Sequence, residues 1–182
     1  MLSIDRYLAN KSLEINASNH GLKIIYLDLN YWIRLRNQDT GSSGENRELL
    51  DKALSLVAER KCIFPVSDIV YYEILKQQDE QTRRGTFNVV SQLSGGITLM
   101  NDHQRIKIEF LHWLAAGQNT VIHTASQLVW SKLPLTIGYP GLAVIDYSAG
   151  TLELQDAFFD FMSEMPIADI SSEAQLRQTP FT

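Results

Sequence analysis

Ile24-Ile25-Tyr26-Leu27-Asp28-Leu29-Asn30-Tyr31-Trp32-Ile33 is an apolar, β-prone run broken by one carboxylate, with helical spacing starting directly behind it. In an α/β sheet the carboxyl end of a strand is where ligands and metals bind, so an Asp at that point is a candidate ligand. Further along, Cys62-Ile63-Phe64-Pro65-Val66 has the same character. It predicts a second buried strand, with Ser67 as the N-cap of a helix that carries Glu73. Two acids delivered to one end of a sheet point to a divalent-metal site.

The segments between and after these two set the expected order of elements. Residues 22–27 are a candidate strand, and Asn30 is expected to cap a short helix over 31–36. The Gly- and Ser-rich stretch 39–45 is a loop. A helix over 46–60 carries Leu49, Leu50, Ala53, Leu54 and Val57 on one face, and the strand 62–66 follows. Strand, helix, strand with short joins predicts a parallel βαβ unit. Helices are expected over 68–78 and 80–93, the second stopped by Gly95 and Gly96. Residues 97–100 are a short strand or extended connection. Asp102 is expected to cap a helix to 116, with Ile106, Phe110, Trp113 and Leu114 facing inward. Helical character is expected over 120–132, a loop or a pair of short extended pieces over 133–147, and a last helix over 151–164 burying Leu154, Ala157, Phe158, Phe161 and Met162. Residues 171–182 are polar and expected to fray.

The chain has 182 residues and a net charge of −5. Nothing in it divides the sequence, so one domain is expected, burying roughly 70% of the surface its unfolded form exposes. A single cysteine, Cys62, excludes an internal disulfide framework and fits a reducing, cytoplasmic location. Residues 1–16 lack a continuous apolar core, so no secretory signal is expected, and no stretch has the roughly 18 apolar residues of a membrane span. The acidic balance argues against a protein coated with base for nucleic-acid binding. The basic residues nevertheless gather near the acid motifs: Arg34 and Arg36 behind the first, Lys76 behind the second, then Arg83, Arg84, Arg105 and Lys107. They are either solvated helix faces or a basic rim around an acidic pocket.

With these residues in place, a family resemblance is visible. Tyr26-Leu27-Asp28-Leu29-Asn30-Tyr31-Trp32 resembles the opening motif of PIN-like domains. Phe64-Pro65-Val66-Ser67-Asp68-Ile69-Val70-Tyr71-Tyr72-Glu73 is similar to the second motif of large PIN-like proteins, and the likeness continues to Glu109. The resemblance implies a PIN-like α/β/α sandwich with a small central parallel sheet and a mostly helical C-terminal half. It also implies metal-dependent phosphodiester hydrolysis, an endoribonuclease of the toxin or defence kind acting on RNA. Asp28 and Glu73 would then hold Mg²⁺ or Mn²⁺, with Glu109 a third candidate acid. Asn30 and Ser67 would support the two motifs, and Arg34, Arg36, Lys76 and Arg84 would contact phosphate. Such nucleases take further Asp residues from a late strand. Asp146, after Ala143-Val144-Ile145, is the nearest match, with Asp156, Asp160 and Asp169 behind it. The expected alternatives are therefore a nuclease whose acid set is completed elsewhere and a catalytically degenerate interaction or assembly module, which would take a protein partner or a second copy.

Each candidate also has an ordinary structural role to weigh. Asp28 can close a strand as a turn or cap residue, and Glu73 can pair with Lys76 on a helix surface. Asp102 is expected as a cap rather than a ligand. His20, His103, His112 and His123 show no zinc-ligand spacing, and Cys62 has no evident base. No glycine-rich phosphate loop is present, and no Asp-x-Asp pair supports a phosphatase. Trp32, Tyr71 and Tyr72 are either base-stacking or core residues.

Overall fold

Lys23–Ile24 (β1) and Cys62–Ile63 (β2) pair in parallel, Lys23 opposite Cys62 and Ile24 opposite Ile63. The computed structural model describes residues 3–37, 44–118, 123–137 and 151–167. Past β2 the chain stays extended, and Val66 makes a parallel bridge to Thr98 in Ile97–Leu99 (β3). The Ile25 amide donates to the Ile63 carbonyl at 2.9 Å, whereas the Val66 amide donates to Ile97 at 3.1 Å. Positions 63 and 66 differ in parity, so β1 and β3 lie on opposite edges of the 62–66 segment. Trp130–Lys132 (β4) then pairs antiparallel with β3. The molecule is mixed α/β and mostly helical, with a small two-stranded parallel sheet.

Eight helices surround these strands among the described residues. They are α1 (Ser3–Ser18), α2 (Leu29–Arg36), α3 (Glu45–Ala58), α4 (Asp68–Leu75), α5 (Glu80–Ser94), α6 (Asp102–Gly117), α7 (Leu133–Ile137) and α8 (Leu152–Ser163). The main core joins Trp32 and Leu35 of α2, Leu50 and Ala53 of α3, the 62–66 segment, and Val70, Tyr71 and Ile74 of α4 to Phe87, Val90 and Leu93 of α5. α5 ends at Gly95, whose left-handed φ of 55° suits a residue without Cβ. Inside the same helix, a Cβ on Gly85 would meet the Arg36 stem at 3.2 Å, so glycine here lets α5 close on α2.

Several expectations change. Residues 22–27 are not a buried strand: β1 is two residues long, and Ile24 and Tyr26 are more than half exposed. Asp28, not Asn30, caps α2, and Asn101, not Asp102, caps α6. The expected helix over 120–132 is replaced, over its described part, by a single 3-10 turn at Ala125–Gln127 and the strand β4. Trp130, Ser131 and Lys132 serve as the antiparallel partner of β3. Residues 133–137, expected as loop or extended, form α7 despite Pro134, which stands in the first turn where a missing amide is tolerated. In α8 it is Phe159 and Met162 that are buried, while Leu154, Ala157 and Phe161 face solvent. The loop 39–43, the strand-like 143–146 with Asp146, Asp169 and the polar end 171–182 lie outside the described residues.

α1, which the sequence reading did not anticipate, holds α8 through one acid. Asp160 accepts from the Tyr7 hydroxyl at 2.7 Å and from Lys11 Nζ at 2.9 Å, beside the small core of Tyr7, Leu135 and Phe159. A second tie joins Arg6 to Asp156 at 2.6 Å. The Tyr7 hydrogen bond, then that of Lys11, holds the Asp160 carboxyl below its ordinary range. A carboxylate with a depressed folded pKa adds stability above its unfolded value, about 3.9, and loses it as pH falls through the folded value. Asp160→Asn is therefore expected to lower the melting temperature at neutral pH, with the gap from wild type closing below about pH 4. A gap independent of pH between 3 and 7 in calorimetry is the contrary result.

Candidate functional site

Asp28 and Ser67 each stand at the carboxyl end of an extended segment that continues from the paired strands β1 and β2. Both residues have extended backbone and both open a helix. Asp28 Oδ1 accepts from the Tyr31 amide at 3.1 Å, and Ser67 Oγ accepts from the Val70 amide at 3.2 Å. Two helix N-termini thus start from one edge of the sheet, each with the partial positive charge that favours anions. The two units are tied across the strands by the Tyr26 hydroxyl, 2.9 Å from Ser67 Oγ. Tyr26 was not among the sequence candidates. The signal was available: Ile24, Tyr26 and Asp28 alternate along one face of the strand, and all three are exposed.

Trp32 fixes the first unit from below. Its side chain is fully buried and its Nε1 donates to the Leu27 carbonyl at 3.1 Å. This anchors the residue before Asp28 to the core and removes Trp32 from any base-stacking role. Tyr71 is buried as well, while Tyr72, Tyr31 and Tyr26 are about half exposed.

Glu73 sits near the end of α4, half-buried, and α4 packs on α2. Its Cα is about 9 Å along the helix axis from Ser67, and side chains lean toward the helix N-terminus, back toward Ser67. The Glu73–Lys76 pair of an ordinary surface helix does not form, and among the described residues no ion pair or hydrogen bond engages the Glu73 carboxylate. Asp28 and Glu73 are therefore on neighbouring elements, one capping its helix and one without a partner. Among the described residues no group of three or more His, Cys, Asp or Glu side chains is placed to hold a metal ion.

The other candidates separate. Asn30 is exposed on the first turn of α2. Arg34 is exposed, with its guanidinium over the Tyr31 ring at 5.9 Å. Lys76 is exposed at the end of α4, and Arg84 is exposed beside Glu80 at 3.8 Å. Arg36 is structural: it donates to Asn37 Oδ1, to the Thr82 carbonyl at 3.2 Å and to Thr86 Oγ1 at 3.1 Å, joining α2 to α5. Glu109 is on α6, which packs on the Ala125–Gln127 turn and not closely on α2 or α4, and it faces Arg105 at 3.6 Å. Asp156 and Asp160 are the α8 acids bound to α1.

No protein-family model, curated protein or solved structure matches this chain. A cavity of about 260 Å³ lies at the opposite edge of the sheet, where the strands begin, lined by Leu22, Cys62, Ile97, Asn19 and Arg60. Burial pushes the Cys62 thiol up from its ordinary value, away from the range of a reactive thiolate. No helix among the described residues is long and apolar enough to cross a membrane.

Proposed function

We propose that this chain is a PIN-like domain and works as a Mg²⁺- or Mn²⁺-dependent endoribonuclease through Asp28 and Glu73. The observation that carries the reading is the matched pair of strand–helix units, opened by Asp28 and Ser67 and tied by the Tyr26 hydroxyl to Ser67 Oγ at 2.9 Å. Two carboxylates suit a hard ion of this kind, which commonly takes one or two from protein and keeps several waters. Bound there, the ion would polarise a phosphodiester oxygen and offset the charge that develops in an in-line displacement. Arg34, Lys76 and Arg84 remain as phosphate contacts, whereas Arg36 is withdrawn because its guanidinium ties α2 to α5.

The test is calorimetric titration of the full chain with Mn²⁺, paired with cleavage of a labelled single-stranded RNA. The expected result is Mn²⁺ uptake and cleavage that EDTA removes, with Glu73→Gln losing both. Neither uptake nor cleavage would leave Asp28 as a helix cap alone.

The second reading, a non-catalytic interaction module on the same scaffold, is favoured by apolar surface elsewhere. Phe159 of α8 is fully buried and gives this reading no surface there. What supports it instead is α6, where Ile106, Phe110, Leu111, Trp113 and Leu114 are all exposed.

A further inference from the structure

The apolar stripe of α6 faces away from the body of the protein. At the α-helical rotation Ile106, Phe110, Trp113 and Leu114 share one face, and Trp113 is 68% exposed. The inward face carries Gln104, Ile108, His112 and Ala115, each only half-buried, and no residue of α6 is fully buried. Polar ties attach the helix instead: Asn101 Nδ2 donates to the Thr136 carbonyl at 2.8 Å, and Lys107 reaches Asp5 at 2.7 Å. A helix of 16 residues is marginal in water by itself, and protein helices are held mainly by burying an apolar face. This one buries little of its own.

We propose that α6 pairs in parallel with α6 of a second copy of this chain. Ile106, Phe110 and Trp113 follow the four-then-three spacing of a coiled-coil seam, and the Phe110 and Trp113 rings already stack at 6.1 Å. Area favours a self-pairing. The exposed α6 side chains amount to roughly 500 Å² of apolar surface, at the upper end for a monomer's largest patch. Two such faces together bury at most about 1,000 Å², the lower bound of a specific interface.

Charge selects the direction. Asp102 and Glu109 lie along one flank of the seam, with Arg105 behind them reaching Asp102 at 3.1 Å and Glu109 at 3.6 Å, Lys107 lies along the other flank, and His103 is on the seam one heptad before Phe110. In a parallel two-fold pair, opposite flanks meet, and Asp102 of one copy comes beside Lys107 of the second. An antiparallel pair sets like flanks together. Lys107 has three donors, so Asp5 does not exhaust it. The inference is independent of the chemistry at Asp28, and its readouts involve no cleavage.

Sedimentation of the full chain at micromolar concentration tests it. The expected mass is twice the 20.7 kDa of one chain, falling to one chain in Phe110→Asp and in Trp113→Asp with circular dichroism unchanged. A chain that stays monomeric at every concentration overturns the proposal, as does a dimer that persists in both variants. Direction is read from Ile106→Cys under mild oxidation, since Cys62 is buried and leaves the new thiol as the reactive one. A parallel pair links Ile106→Cys to its own copy as a covalent dimer. Absence of that link in a folded dimer overturns the parallel arrangement.

Discussion

Asp28→Asn is expected to abolish Mn²⁺-dependent RNA cleavage while leaving thermal unfolding unchanged. The two halves of this result come from the two roles that meet in one side chain. As a cap, Asp28 uses a single oxygen to accept the Tyr31 amide, and Asn or Ser can do the same. As a ligand it offers a negative charge that neither replacement has. Even outer partners of metal ligands cost 10–100-fold when removed, so loss of a direct ligand is expected to exceed about 100-fold in rate. Asp28→Ser should behave like Asn. Asp28→Ala should lose the cap too, at about 1 kcal/mol of stability. Wild-type cleavage by Asp28→Asn would show the carboxylate to be a cap and nothing more.

Trp32→Ala should destabilise the fold by about 3–5 kcal/mol, a large share of the roughly 5–15 kcal/mol that holds a domain together. Trp32 is the largest of the fully buried side chains and stands among residues of α3, α4 and α5. The substitution removes an aromatic volume that its neighbours cannot refill. Trp32→Phe separates packing from hydrogen bonding. Most of the volume stays, but the Leu27 carbonyl loses the Nε1 donor, and an acceptor left without a partner costs about 1–3 kcal/mol. Guanidinium unfolding measures both through the midpoint, with the slope unchanged if only stability has moved. An Ala variant within about 1 kcal/mol of wild type would mean the site relaxes around the loss. Because Leu27 precedes Asp28, the same substitutions should loosen the first acid motif before the molecule unfolds.

Elements that rest on near-neighbour interactions are largely legible in the sequence. The Ser67 cap, the stop at Gly95, the helices α3, α4 and α5 and the parallel pairing of the two apolar strands all rest on interactions within a few residues or on one βαβ connection. The near symmetry of Asp28 and Ser67 follows from the same local rules. Two caps fall one or two residues earlier than their sequence signals, at Asp28 and Asn101, and the larger differences arise where a distant partner decides. Residues 130–132 are a strand because β3 needs an antiparallel neighbour and because the Ser12 hydroxyl accepts the Trp130 amide at 2.9 Å, across most of the chain. Arg36 looks like a free cation in sequence, and only the approach of α5, permitted by Gly85, turns it into a structural tie.

The amino-acid sequence by itself determined the helical and extended segments around the acids and the caps that start the helices, since those depend on hydrogen bonds between near neighbours. It also determined that α6 would carry an apolar stripe. Which way that stripe faces, which acids stand on adjacent elements and which cations stay free were decided only by the tertiary structure. Periodicity defines a helix face but not its direction, and direction follows from which elements supply burial and which leave surface for something else to cover.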